Sequence, residues 1–424
     1  MSKILVNNNG PLYGEVEISG AKNAVLPLMA ATLLTSEECA IEGVPDLVDV
    51  KVMKNMLVHY GAEINDCKKG VLKVAAKQIA SVEGDPEMVQ EMRASIFTMG
   101  PLLARSGKVI MPMPGGCTIG KRPIDLHLKG FKALGAVIEE TDDKVIVTAG
   151  PDGLKGDAIY LDFPSVGATE NILMAATLAQ GTTIIENAAK EPEIIDLANL
   201  LNKMGAKIKY AGTDMVRIEG VEKLTGCIHA VIPDRIETGT FMLAAAITRG
   251  RVLVKNALPG HVRPIIAKLK ECGVKVDLTD EGILVDATKG KLVSTDIKTL
   301  PYPGFPTDIQ SPFMAFLTTV EGKSTVRETV FENRFMHVVE LNRMGADITT
   351  ETSREAVIPG GKKLHGAQVR ATDLRAGAAM VLAGLVASGT TEISEIHHIE
   401  RGYEDLVGKF KALGADIMKI EGDY

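Results

Sequence analysis

A chain of 424 residues with 46% hydrophobic and 24% charged side chains has the composition of a globular protein with large cores, and its length alone suggests about two to four domains. A net charge of −7 argues against a general nucleic-acid-binding surface, and no apolar run reaches the roughly 20 residues that cross a bilayer. Five scattered cysteines (Cys39, Cys67, Cys117, Cys227, Cys272) without C-x-x-C, and eight histidines without zinc-type spacing, point away from a disulfide framework or a metal site and toward a reducing cytoplasm.

In chain order, "MSKILVNNNGPLYGEVEIS" lacks a secretory apolar core and contains a strand pattern. "SGAKNAVLP" follows, with Lys22 and Asn23 at a predicted helix N-terminus, where backbone N–H groups favour anions. A solvated lysine near a cap fits that stretch as well. "EMRASI" places Arg93 at another helix start, where a solvated arginine is an equal reading. "PGGCTIGKRPID" then raises three readings. Gly115 to Lys121 fits the first seven places of a P-loop, but Arg122 stands where a magnesium-binding Ser or Thr belongs. Cys117 beside Lys121 and Arg122 has the cationic glycine loop that activates a thiol. An ordinary turn leading into a helix with Pro123 in its first turn remains the third reading. Further on, "YPGFPTDIQSP" carries a lone acid, Asp308, before an apolar helix, where an N-cap would explain it. Arg334 in "VFENRFMH", Arg375 in "ATDLRAG" and Arg401 in "HIERGYE" are each compatible with a surface role.

An internal repeat underlies these elements. "LVHYGAEI", "FKALGAVI", "LNKMGAKI", "LKECGVKV", "LNRMGADI" and "FKALGADI" place glycines at 61, 135, 205, 273, 345 and 414, about 70 residues apart. Each is preceded by a small-residue helix and a β-branched strand such as "TTIIENA". In "DLANLLNKMGA", Leu197, Leu200, Leu201 and Met204 form one helical face, and Gly205 suits a left-handed C-terminal cap. The predicted class is therefore α/β: six modules of helix, strand, helix, Gly-Ala turn and strands. The sixth module stops short, and "GPLYGEVEIS" matches the closing strands "KLTGCIHAVI" and "KLHGAQVRAT", so the N-terminal strand is expected to complete it. Three modules per domain gives one domain over 20–230 and a second from 1–19 plus 231–424.

Residues that break a repeat are candidates for function. "SGAKNA", "MRASI", "PGGCTIGKRPIDLH", "SVGAT", "NAAKEPEI", "PDRIETGTF", "FPTDIQ", "VFENRFMHV", "ATDLRA" and "HIERGYE" together resemble the UDP-N-acetylglucosamine 1-carboxyvinyltransferase family of enolpyruvyl transferases, in the family's order and across nearly the whole chain. The resemblance implies a two-domain inside-out α/β barrel. It implies transfer of the enolpyruvyl group of phosphoenolpyruvate to the 3′-hydroxyl of UDP-N-acetylglucosamine, a cytoplasmic first committed step of peptidoglycan and cell-wall synthesis. These two small molecules are the implied partners, with no nucleic acid, membrane, cofactor or metal.

By the same resemblance Cys117 is the proton donor and the target of fosfomycin-type epoxides, and Asp308 is the acid beside the sugar hydroxyl. Lys22, Arg122 and Arg401 surround phosphoenolpyruvate, with Arg375 and Arg334 nearby. Asn23, Arg93, Arg122, Pro123, Ile124, Asp125, Leu126, Ser165, Val166, Gly167, Asp308 and Val330 match contacts to the sugar nucleotide. One departure is "DFPSVGA", where Phe163 and Pro164 replace the run in which many members place a lysine. In this the chain looks like the second isoform of some low-GC Gram-positive bacteria. Another enolpyruvyl transferase, with an acceptor such as shikimate 3-phosphate, and a repeat-built binding ring are the rival readings.

Overall fold

The computed structural model describes residues 2–113 and 124–422. They form two compact units, residues 20–113 with 124–232, and residues 2–19 with 233–422.

In the first unit three sheets enclose a helical core. Cys39–Glu42 pairs antiparallel with Val71–Ala75, which pairs with Glu63–Lys68. Lys108–Pro112, Lys144–Thr148 and Val137–Glu140 form the second sheet, and Thr182–Glu186, Met215–Glu219 and Lys207–Lys209 the core of the third. Alternate strand residues such as Ile41, Val74, Val147, Ile185 and Val216 turn inward and are fully buried, as the period of two requires. Helices Lys22–Ala31 and Val166–Ala176 are buried on every side over most of their length. Their alanines let neighbouring backbones approach closely. Helices Val48–His59 and Pro192–Lys203 keep a polar outer face. Helices inside and sheets outside is the inside-out arrangement.

The second unit repeats the plan. Helices Arg235–Ile247, Gln310–Thr318 and Leu374–Gly384 are almost wholly buried and pack on one another. Around them stand sheets built on Arg251–Lys255, Lys323–Arg327 and Thr390–Ser394.

Each trio closes on itself through short parallel strands. Ala158–Tyr160, which ends the second module, pairs with the third module's Thr182–Glu186, and Ile228–Ala230, which ends the third, returns to Cys39–Glu42 of the first. The N-terminus supplies two strands where the sequence suggested one. Lys3–Asn7 is the antiparallel strand missing from the sixth sheet, pairing with Thr390–Ser394 on one side and Asp416–Ile420 on the other. Tyr13–Glu17, within "GPLYGEVEIS", instead lies parallel on Arg251–Lys255 of the fourth module. The expectation that this pattern completes the sixth module is therefore corrected: a closing strand belongs to the next sheet in its trio. All six repeat glycines adopt positive φ, from +86° at Gly273 to +101° at Gly205, so a side chain there would be strained.

Candidate active site

Asp308 sits in the single turn Thr307–Ile309 that feeds helix Gln310–Thr318, all nine residues of which are buried. It is not an N-cap: the cap position belongs to Ile309, with no side-chain bond. Instead its carboxylate accepts Arg334 Nη2 at 2.7 Å and Arg375 Nη2 at 3.1 Å. The guanidiniums are 5% and 3% exposed, against 24% for the Asp308 side chain. Burial by itself would raise this carboxyl. The charges of Arg375 and Arg334, with Arg235 beyond, outweigh it and hold Asp308 well below the usual carboxylate range. Arg375 lies in the first turn of its helix, which Asp373 caps through the Arg375 and Ala376 N–H groups. The Tyr403 ring lies 5.4 Å from its guanidinium carbon and the Tyr403 hydroxyl favours its charged form, while Nη1 is buried and makes no hydrogen bond of good geometry. Two buried guanidiniums on one carboxylate leave a net positive charge and a spare donor, which an anion would satisfy. In the same unit, Val330 N donates to Glu328 Oε1 at 2.8 Å, and Arg401 follows the short helix His397–Glu400, half-buried.

The other unit gathers a second set. Lys22 opens helix Lys22–Ala31 and pairs with Asp49 at 2.7 Å, the side chains being 12% and 3% exposed. Asn23 beside it is half-buried. Arg93 opens the short helix Arg93–Thr98 and acts electrostatically on His127. Burial first, and Arg93 second, push His127 down to about 3, so its imidazole is neutral at pH 7. Asn171 fixes the tautomer. Its Oδ1 accepts Gly100 N at 2.8 Å, so its Nδ2 is the group facing Ile96 O and His127 Nδ1, each at 3.0 Å. His127 Nδ1 therefore accepts, and Nε2 carries the proton.

Ser165 caps helix Val166–Ala176 through Ala168 N, with Val166 and Gly167 in its first turn. A Cβ on Gly167 would stand 3.1 Å from His127 Cε1, so glycine lets the turn rest on the imidazole. Ile124 precedes helix Asp125–Ala133, which Asp125 and Leu126 begin. Phe163 is 43% exposed just before this cap. Cys117, Arg122 and Pro123 lie outside the described residues.

Sequence reasoning missed Asp49, His127, Asn171, Glu170 and Glu328. Glu170 did carry a signal, since it is the one charged residue in the helix Val166–Ala176. Glu170 is fully buried with neither carboxylate oxygen bonded; burial, then Glu193 and Glu191, drive its pKa well upward. Among the described residues no cluster of three His, Cys, Asp or Glu could hold a metal, and no helix is long and apolar enough to cross a membrane.

A family model described as EPSP synthase (3-phosphoshikimate 1-carboxyvinyltransferase) matches residues 6–410, and the chain belongs to this carboxyvinyl transferase family. The crystal structure of the enolpyruvyl transferase NikO from Streptomyces tendae matches with a TM-score of 0.87 at 26% identity, covering 99% of this chain and 98% of that one. EPSP synthase from Acinetobacter baumannii, at 19% identity and a TM-score of 0.77 over 99% of this chain and 100% of its own, shares the fold. Within the family the chain stands with the UDP-N-acetylglucosamine 1-carboxyvinyltransferases. That of Finegoldia magna is 56% identical over 99% of both chains. Copy 1 of Caldanaerobacter subterraneus subsp. tengcongensis is 57% identical over 99% of both, and copy 2 of Carboxydothermus hydrogenoformans 56% over 99% of this chain and 100% of its own, so overall identity does not separate the numbered isoforms.

Proposed function

We propose that the chain transfers the enolpyruvyl group of phosphoenolpyruvate to the 3′-hydroxyl of UDP-N-acetylglucosamine, releasing phosphate. The observation that carries this is Asp308 clamped between Arg334 and Arg375, with Arg375 Nη1 unpartnered. The oxygen of the sugar bonds to C2 of phosphoenolpyruvate while a proton goes to C3. The adduct then loses a C3 proton and its C2–O bond to phosphate, restoring the double bond.

In this scheme Asp308 takes the hydroxyl proton. Clamped by two cations it is a weak base. An anionic substrate that draws the guanidiniums to itself frees the carboxylate and raises its pKa toward a working range. Cys117 supplies the proton to C3. Lys22, Arg122 and Arg401 hold phosphoenolpyruvate, with Arg334 and Arg375 adding charge. Asn23, Arg93, Ile124, Asp125, Leu126, Ser165 to Gly167 and Val330 hold the sugar nucleotide. His127, held as the Nε2–H tautomer, would present a neutral donor beside Gly167. The reaction belongs in the cytoplasm, where free thiols such as Cys39, Cys227 and Cys272 persist.

The test is phosphate release from phosphoenolpyruvate with UDP-N-acetylglucosamine or shikimate 3-phosphate as acceptor. Release with the nucleotide sugar alone is the expected result. Release with shikimate 3-phosphate, or with neither, overturns the proposal.

A further inference from the structure

One buried carboxylate organises the surroundings of Arg334 without touching it. Glu328 follows strand Lys323–Arg327 and is 1% exposed. Among the described residues it forms no ion pair; four neutral groups donate to it instead. Oε1 accepts Thr299 Oγ1 and Val330 N at 2.8 Å each and Phe331 N at 3.1 Å. Oε2 accepts Thr307 Oγ1 at 2.8 Å.

Those bonds lead to one edge and one face of a single guanidinium. Thr307 has a single hydroxyl proton. Giving it to Glu328 turns the oxygen lone pairs outward, and Arg334 Nη1 donates to that oxygen at 2.9 Å while Nη2 donates to Asp308 at 2.7 Å. The fork of Arg334 is thereby set by two neighbouring residues of one turn. Phe331, whose N–H is held by the other oxygen of Glu328, lays its ring 5.1 Å from the Arg334 guanidinium carbon. We propose that Glu328 is a positioning residue: through Thr307 on one arm and Phe331 on the other it fixes the plane of Arg334, and so the angle at which Arg334 meets Asp308 and the anionic substrate. This rests on the reaction proposed above.

A carboxylate is needed for a reason of proton counting. Gln at 328 keeps an oxygen for Thr299, Val330 and Phe331, but its amide N–H faces Thr307 Oγ1. The hydroxyl proton then loses its acceptor, and the amide competes with Arg334 for the same lone pairs. Misplacing one catalytic group by about 1 Å can cost on the order of 100-fold in rate.

The experiment uses the full-length enzyme with Thr307→Val, Thr307→Ser, Glu328→Gln, Arg334→Lys and the Thr307→Val/Arg334→Lys double variant. Thr307→Val and Glu328→Gln are expected to lower kcat about tenfold or more, with the KM of the nucleotide sugar within about threefold of the parent. Thr307→Ser, which keeps the hydroxyl, restores kcat. The double variant is no slower than Arg334→Lys alone, because both changes break one connection. Parental kcat in Thr307→Val, or losses that multiply in the double variant, overturn the proposal. If the parent itself releases no phosphate, the reaction is misassigned, and crystal structures of Thr307→Val and Glu328→Gln decide this point separately. Arg334 turned away from Asp308 supports it, and an unmoved fork refutes it.

Discussion

Asp308→Asn is the substitution that puts most weight on the structure. Asn keeps the size of the side chain and one carbonyl oxygen. That oxygen can accept Arg334 Nη2 or Arg375 Nη2, now at 2.7 and 3.1 Å, but the new amide N–H₂ must then face the other guanidinium, donor against donor. Both arginines are nearly inaccessible, at 5% and 3% exposed, so two buried cations lose the counter-charge they share. Breaking a buried pair in this way costs about 3–5 kcal/mol, and the partial exposure of Asp308 puts this case at the lower end. For a unit of this size, about 3 kcal/mol lowers Tm by roughly 6–12 °C. Loss of the base should lower kcat by about 10²–10⁴. Differential scanning fluorimetry reads the first effect and phosphate release the second. Inorganic phosphate should raise the Tm of the variant more than that of the parent, because the anion replaces the missing charge. Calorimetry should find the affinity for UDP-N-acetylglucosamine within about threefold of the parent. A Tm within about 1 °C and a kcat within threefold would show that the two ion pairs contribute nothing and that Asp308 is not the base.

Two further outcomes follow from buried groups away from this turn. Glu237 accepts Lys409 Nζ and Ser19 N, yet burial first, with Asp234 adding to it, outweighs these and holds its carboxyl up to about 7. Between pH 4.5 and 7 the folded chain keeps a proton that the unfolded chain has released, so stability falls as pH rises through that window, by about 3 kcal/mol, and levels off above it. Glu237→Gln should flatten the dependence, and urea melts of the parent that coincide at pH 5 and 7.5 would contradict the assignment. Among the thiols, burial pushes Cys272 up to about 12, and a bond from Cys39 holds Cys227 down to about 7. Brief iodoacetamide treatment at pH 7.5 should therefore modify Cys227 ahead of Cys39 and Cys272, whereas a phosphonate epoxide shaped like phosphoenolpyruvate should modify Cys117; mass spectrometry that places the epoxide on Cys39 or Cys272 would refute the second part.

What was legible in the sequence is what repeats or what is local. The six Gly-Ala turns could be read because positive φ demands glycine at the same place in every module. The helix starts at Lys22 and Arg93 could be read from the residues around them. The environment of Asp308 could not. Its partners are 26 and 67 residues away, and nothing local to "FPTDIQ" distinguishes a clamp between two arginines from a helix cap. The same holds for Asn171 and His127, 44 residues apart, and for Glu328 with Thr307, 21 apart. Such pairs exist only because the fold packs distant segments together, as helices Asp125–Ala133 and Val166–Ala176 pack, and no periodicity encodes them. The N-terminal strands show an intermediate case: the pattern of "GPLYGEVEIS" was visible, but its partner depended on the closure of a three-module ring.

That closure sets a schedule for synthesis. Residues 20–232 contain every strand their own three sheets use among the described residues, so this half can complete itself while the rest of the chain is still being made. The first strands emerge before it and must wait. Tyr13–Glu17 has no partner until Arg251–Lys255 leaves the ribosome, and Lys3–Asn7 lacks its outer neighbour until Asp416–Ile420 does. At ordinary translation speeds the last delay is roughly 20–80 s. For that time the newborn chain carries a bare strand ahead of a finished domain, with Ile4 and Val6 still open to water. These strands, made before the domain of residues 20–232, are among the last to fold, and a chaperone that engages extended apolar segments would find a target there.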